Sequence, residues 1–417
     1  VLLSVVATSR NDDHGGNALW RTQHFVDGLA HQAKKHRVSI ELVLVDWNPL
    51  PDRVGLYEAL KWPEADKYFQ YRVIVVPNSY HQQFKHSKEL PLFQYLAKNV
   101  GIRRAKGDFI LATNIDILFS DQLFQFFKTS LKTGCLYRVD RFDMDDKIPE
   151  AIPFEEILSY AEKNILRVNA AMGILTWQEY NLLFVQRKSL QSYALFLFLF
   201  SKLLLRMVYS LTFVRLRLFI KNLFKKDENC QRGSGHVSLM EALSILAYKE
   251  RFGNGLFVKM LNVVYTLKNQ FSFLNWQRLV HTNACGDFTL MSKEDWFALK
   301  AYPEWEIYSW HIDSVLLYQA YHSDIKMENL NFKYPIYHIE HGKGSGFTPE
   351  YANLLFQRLD DKGIGYLTDK DLEKILFDQY QQSKNQVTIS YNNGSWGAFG
   401  EVFSENTPTV ELKKASA

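Results

Sequence analysis

Four short apolar runs recur at spacings that leave room for a helix between them: VLLSVVA at 1–7, ELVLVD at 41–46, RVIVVP at 72–77 and FILA at 109–112. Their near-continuous hydrophobicity suits parallel strands covered on both faces. Residues 18–35 between the first two read as an amphipathic helix. Strands alternating with helices give a doubly wound parallel sheet. In open α/β sheets ligands bind outside the carboxyl ends of the strands. The polar residues that follow each run therefore come first: TSRNDDHGGN at 8–17, Asp46, and Asn114-Ile115-Asp116.

The fourth run carries the densest signal. Lys98–Ser120 reads as the end of a helix, a turn through Ala105-Lys106-Gly107-Asp108, a buried strand, and a polar pair at its end. Gly107 is expected in the left-handed conformation of a helix C-cap. Asn114 and Asp116 lie two apart, so on an extended chain they face one site together. Carboxylate oxygens are hard ligands suited to Mg²⁺ or Mn²⁺, ions that bridge proteins to substrate phosphates.

This stretch resembles the GT-A glycosyltransferases, most closely the large inverting family 2. The matching residues are Asn99, Gly101, Ala105, Gly107, Asn114 and Asp116, with Asn114 where the family's Asp-x-Asp motif has its first Asp. The resemblance implies an α/β, GT-A (Rossmann-like) fold: a mostly parallel sheet with helices on both faces, here with an inserted helical segment. It implies a nucleotide-sugar site lined by Thr8, Ser9, Arg10, Asn11, Asp46, Asn99, Arg103 and Asn114. Asp116, Asn114 and His341 would hold Mn²⁺ or Mg²⁺, with His338 as the second choice of histidine and Lys343 near a phosphate. Segments 284–304 and 307–313 resemble the family's acceptor side. There Asp313 would be the general base, and Asp287 and Trp310 would contact the acceptor.

At 417 residues with 47% hydrophobic content, the chain can bury a large core. Its net charge of +4 gives no global attraction to nucleic acid, and none is expected as a partner. Cys135, Cys230 and Cys285 are too scattered for a disulfide framework or a zinc site, which fits a reducing compartment. The first residues read as a strand, not as a signal peptide.

Residues 187–226 differ from the rest in having no acidic residue. The longest uncharged run, 189–201, is shorter than the roughly 20 residues that cross a bilayer. Taken as one helix, Lys188, Lys202, Arg206, Arg217, Lys221 and Lys225 share a face, and Arg215 falls outside it. A basic face beside a broad apolar one suits an anionic membrane surface. Packing on the protein itself or in a homodimer is the alternative.

Four regions follow: 1–180, the nucleotide-sugar half; 181–275, the inserted segment; 276–350, the acceptor half; and 351–417, a C-terminal extension. The expected function is divalent-metal-dependent, inverting transfer of a sugar from a nucleotide-sugar donor, UDP-linked first among them, to a hydroxyl of a glycan or lipid-linked acceptor. The expected location is cytoplasmic, peripheral on the membrane. A catalytically degenerate, membrane-docked binding protein and a nucleotidyltransferase are the alternatives. Several other features read as structural: the Gly15-Gly16 turn, a surface loop with His81 and His86, a solvated acidic turn at Asp143, Asp145 and Asp146, and a helix end at Arg103 and Arg104 that could also meet a diphosphate. Residues 360–371 only superficially resemble a calcium loop, and the tail after Asn385 is expected to be peripheral.

Overall fold

The computed structural model describes residues 2–150, 152–171, 173–181, 280–330, 332–341 and 352–408, with 185 and 194. The basic segment 187–226, apart from residue 194, and Lys343 lie outside the described residues. No helix among the described residues is long and apolar enough to cross a membrane. The chain divides into two compact units, residues 1–166 with 284–417, and residues 167–283.

In the first unit, β1 (Leu3–Ser9), α1 (Ala18–His36), β2 (Ile40–Trp47), α2 (Leu56–Ala59) and β3 (Phe69–Val76) follow in order. Then come α3 (Asn78–His81), α4 (Gln94–Arg104), β4 (Phe109–Thr113), β5 (Ile117–Phe119) and α5 (Asp121–Thr129). Strands β4, β1, β2 and β3 pair in that order, all parallel. β1, β2 and β4 are buried along their whole length, as expected for parallel strands between helical layers.

Next come two short strands, β6 (Cys135–Arg138) and β7 (Arg141–Met144). They enter different sheets. α6 (Phe154–Lys163) closes the first half. After the second unit, β10 (Phe288–Ser292) runs antiparallel between β4 and β6, and β11 (Lys326–Asn329) extends the sheet parallel to β6. Between them lie α8 (Lys293–Leu299) and α9 (Ile312–His322). β12 (Ile336–Ile339) pairs with β5 and β7 in a smaller sheet. α10 (Ala352–Asp361), α11 (Asp369–Lys384) and β13 (Ser404–Asn406) complete the unit, with β13 antiparallel on the edge of β3.

In the second unit, β8 (Ile165–Ala170) and β9 (Gly173–Thr176) form an antiparallel pair leading into the one-turn helix α7 (Trp177–Tyr180). A capping box between Thr176 and Glu179 starts that helix.

Close approach, not a left-handed cap, explains Gly107. Its φ is not positive. A Cβ there would lie 2.5 Å from the backbone nitrogen of Ser4, and its own N–H donates to Ser4 Oγ at 2.8 Å. The helix-to-strand turn therefore presses directly on β1.

The tail after Asn385 is not peripheral. Trp396 is buried. Arg104 donates to the carbonyls of Gly397, Ala398 and Glu401. Arg103 lies over the rings of Trp396 and Phe399, 4.5 Å from each centroid. Both arginines sit at the amino end of β4, across the sheet from the polar strand ends, so they brace the C-terminal strap instead of facing a diphosphate. In the supposed calcium loop, Asp371 completes a capping box with Thr368 at the start of α11.

Candidate active site

The carboxyl ends of β1, β2 and β4 gather polar side chains. Thr8 Oγ1 donates to Val45 O at 3.0 Å, Arg10 Nε to Asn48 O at 2.6 Å, and Asn11 Nδ2 to Val54 O at 2.9 Å. Ser9 is buried beside them. These residues thus tie the end of β1 to the loop after β2. Asp46, fully buried at the end of β2, accepts the N–H of Leu56 at 2.8 Å through Oδ2, while its Oδ1 has no hydrogen-bond partner. Burial pushes its carboxyl up to about 6, against the opposing pull of the Leu56 N–H.

Asn114 and Asp116 take different partners. The chain leaves β4 after Thr113 and turns through residues 115–116, so the alternation of an extended strand no longer applies. The Asn114 carbonyl accepts Gln94 Nε2 at 3.0 Å and Lys98 Nζ at 2.8 Å, and its amide donates to Asp287 Oδ1. Both ends of this side chain are engaged by other side chains, so its oxygen is already taken and Asn114 is not counted in the metal set.

Asp116 instead meets two histidines from the far end of the chain. Its Oδ2 lies 3.7 Å from His338 Nε2 and 3.4 Å from His341 Nε2. Both reach it because β12 ends at Ile339, which donates its N–H to Asp116 O at 3.0 Å. Past that point strand alternation no longer separates residues 338 and 341. Asp116 is 6% exposed, and its Oδ1 has no hydrogen-bond partner. Burial favours its neutral form, but His338 and His341 outweigh this and hold the carboxyl well below the usual range. Burial and Arg141 oppose protonation of His338, yet Asp116 and Asp143 outweigh them and push it up to about 9.

The three donor atoms lie within 4.8 Å of one another. One carboxylate with two imidazoles and a spare buried oxygen fits a divalent ion. The mixed nitrogen and oxygen set suits Mn²⁺ better than Mg²⁺, which prefers oxygen and water. Arg21, on the buried face of α1, shares the carboxylate, with Nη1 2.9 Å from Asp116 Oδ2. Its other donors hold the carbonyls of His14 and Gly16.

The acceptor-side residues form a second cluster. Asp287 is 4% exposed, and both carboxylate oxygens are engaged, by Asn114 and by Arg141. Lys98 is fully buried and donates to Gly286 O at 2.7 Å as well as to Asn114. Burial lowers it to about 8, although nearby Asp287, Asp313 and Asp116 favour its charge. Asp313 is half-buried in the first turn of α9, but His311 takes the N-cap position. A Cβ on Gly286 would lie 3.4 Å from Asp313 Oδ2, and the carboxylate also meets the Tyr95 hydroxyl, the Cys285 thiol and the Ser314 N–H. Half-buried Trp310 stands three residues before Asp313, with its ring against Phe356 and His311.

Other expected residues lie elsewhere. Asn99 is fully buried and holds Tyr302 O and Glu304, a packing role. His81 is not on the surface: it accepts Trp47 Nε1 at 2.9 Å in an aromatic cluster. Asp143 is buried on β7, not solvated. Lys98 and Arg21 were missed. Each falls on the apolar face of its helix, with Tyr95 and Ile102, and with Ala18 and Phe25, at three- or four-residue spacing. A cation on the buried stripe was the available signal.

No protein-family model and no curated protein matches the chain. Among solved structures, GalNAc-T7 with UDP, GalNAc and Mn²⁺ aligns at 12% identity and a TM-score of 0.33, over 93% of this chain and 56% of that one. The galactosyltransferase LgtC, in complex with donor and acceptor sugar analogues, aligns at 13% identity and a TM-score of 0.18, over 37% of this chain and 50% of that one. The chain thus spans about half the length of these two structures. Likeness of this degree carries no functional argument, which falls instead on the residues at the strand ends.

Proposed function

We propose that the chain is a nucleotide-sugar-dependent glycosyltransferase of GT-A type that works with a divalent cation, Mn²⁺ before Mg²⁺. The observation that carries this reading is the Asp116–His338–His341 triad at the carboxyl end of a parallel sheet, two strands from Asp46. Neighbouring strands lie about 4.8 Å apart, so the separation of about 10 Å suits a nucleoside at one end and its diphosphate at the other. Asp46 holds the ribose or base through its spare oxygen, with Ser9 and Asn11 as the wall. Asp116, His338 and His341 hold the ion, whose charge stabilises the leaving diphosphate.

In this reading Asp313 takes the proton of an acceptor hydroxyl. The hydroxyl oxygen forms a bond to the anomeric carbon, the carbon–oxygen bond to the diphosphate breaks, and its electron pair leaves on the diphosphate. Attack from the side opposite the leaving group inverts the centre. Lys98 holds the Gly286 carbonyl next to Asp313 and so fixes the floor beneath the acceptor. A glycan or lipid-linked hydroxyl at an anionic membrane surface remains the acceptor of choice, on the strength of the basic segment 187–226.

One observation favours a second reading, a non-catalytic binding protein on the same scaffold. Arg21 already supplies Asp116 with a buried positive charge. Thermal-shift titration of uridine diphosphate with Mn²⁺ and then with chelator separates the two, because a ligand of the native state raises its melting temperature by mass action. The enzyme reading expects metal-dependent binding and slow Mn²⁺-dependent hydrolysis of a UDP-sugar without acceptor. Unchanged affinity after chelation, with no hydrolysis of any nucleotide-sugar, would leave only the binding protein.

A further inference from the structure

Behind the proposed metal triad runs a line of buried charges that ion binding alone does not require. Arg141, the first residue of β7, pairs with Asp143 through Nε at 2.7 Å and Nη2 at 3.1 Å. Its Nη1 reaches across to Asp287. Asp143 is fully buried, and its Oδ1 lies 3.3 Å from His338 Nδ1, an ion-pair contact short of hydrogen-bond alignment. On the other side, Asp287 accepts from Asn114, which accepts in turn from Lys98. One guanidinium therefore stands between His338 and the acceptor-side cluster.

We infer that Asp143 is the positioning residue of the metal ligand His338, and that Arg141 braces Asp143 and Asp287 together. The inference rests on the triad reading above. A guanidinium that donates one hydrogen bond through Nη2 and sets Nε close to the second oxygen keeps a buried carboxylate ionised and limits its rotation. An ionised carboxylate this close to Nδ1 favours the ring proton on that nitrogen electrostatically and leaves the Nε2 lone pair facing Asp116. Partners of this kind behind a ligating imidazole set its orientation and its strength as a donor. The topology supplies a reason for the arrangement. β12 pairs parallel to β7 with His338 in register with Asp143, so the two side chains lie on the same side of the sheet as cross-strand neighbours. Asp143 and Glu340 also lie within reach of His338 as a second group of potential ligands. The Arg141 guanidinium on Asp143 supplies the charge a second ion would have to displace, which makes bracing the better use of that carboxylate.

The test measures Mn²⁺ affinity of the full-length protein, without nucleotide, from the electron paramagnetic resonance signal of the free ion. It compares wild type with Asp143→Asn, Arg141→Lys, Asp287→Asn and His338→Ala. Asp143→Asn is expected to weaken Mn²⁺ 10- to 100-fold, the usual effect of removing such a partner. It should also change the visible spectrum of the Co²⁺-loaded protein, which reports ligand geometry. Arg141→Lys, which keeps the charge and loses the fork, is expected to fall between it and wild type. Asp287→Asn should leave Mn²⁺ affinity within twofold. Wild-type affinity and an unaltered Co²⁺ spectrum in Asp143→Asn would overturn the inference, as would a loss seen only as a lower melting temperature. If the wild type itself binds no Mn²⁺, or His338→Ala binds it as well as wild type, the triad reading fails first. A wild type that binds through His338 while Asp143→Asn matches it fails this inference alone.

Discussion

Asp46 shows how one buried side chain couples stability to function. Its carboxyl rises from 3.8 to about 6 chiefly through burial. Between those values the folded chain retains a proton that the unfolded chain has lost. Stability therefore falls as pH rises through that window, and the loss is complete above about pH 6. Two pKa units correspond to about 3 kcal/mol. Asp46→Asn keeps an oxygen for the Leu56 N–H and removes the ionisation. Its melting temperature should exceed that of wild type at pH 7.5, and the gap should close toward pH 4. Uridine diphosphate binding should weaken at the same time. A melting difference that is constant from pH 4 to pH 8 would show that the carboxylate is not strained by burial.

At the level of elements, the turn between β4 and β5 decides what the motif Asn114-Ile115-Asp116 can do. It splits the pair, sending Asp116 to the histidines and Asn114 to Lys98 and Asp287. An aspartate at position 114 would set a carboxylate against Asp287 where an amide now donates. Asn114→Asp is therefore expected to leave Mn²⁺ affinity unchanged and to cost about 1–3 kcal/mol, the usual penalty for breaking a buried polar contact. Denaturant unfolding and Mn²⁺ titration of the same variant check both halves. Tighter Mn²⁺ binding would mean that residue 114 can turn back toward the triad. The reading of this stretch as helix, turn, strand and polar end was sound, because hydrophobic periodicity and strand ends are local properties. The direction of the side chains was not legible, since it depends on where the strand stops.

Across the first compact unit, residues 391–406 act as a strap. β13 covers the edge of β3, and Arg72 pairs with Glu405 at 2.8 Å. Asn392 holds the carbonyls of Lys300 and Tyr302, while Gly397 donates to Glu304 at 2.7 Å. An exposed edge strand would otherwise invite aggregation. Trp396→Ala removes the strap's anchor and should cost about 3–5 kcal/mol, as large aromatic truncations do. Denaturant unfolding measures the cost. Affinity for uridine diphosphate should stay as it is, since the strap grips α4 at the end of the sheet away from Asp116.

The sequence by itself determined the alternation of strands and helices through Ser120, because apolar runs and helical stripes are written in neighbouring residues. It also determined that Asp46, Asp116 and the polar loop at 8–17 stand at strand ends, whereas a late histidine beside Asp116 was only what the family resemblance implied. Tertiary structure decided the rest. It brought His338 and His341 together on Asp116, placed Arg21 on the same carboxylate, and set Arg141 between Asp143 and Asp287. These contacts join residues as much as 225 positions apart, counting from Asp116 to His341. Their geometry follows from strand order and from the points at which strands end. A buried charge is tolerated only where the fold delivers its partner, and nothing local in the chain names that partner.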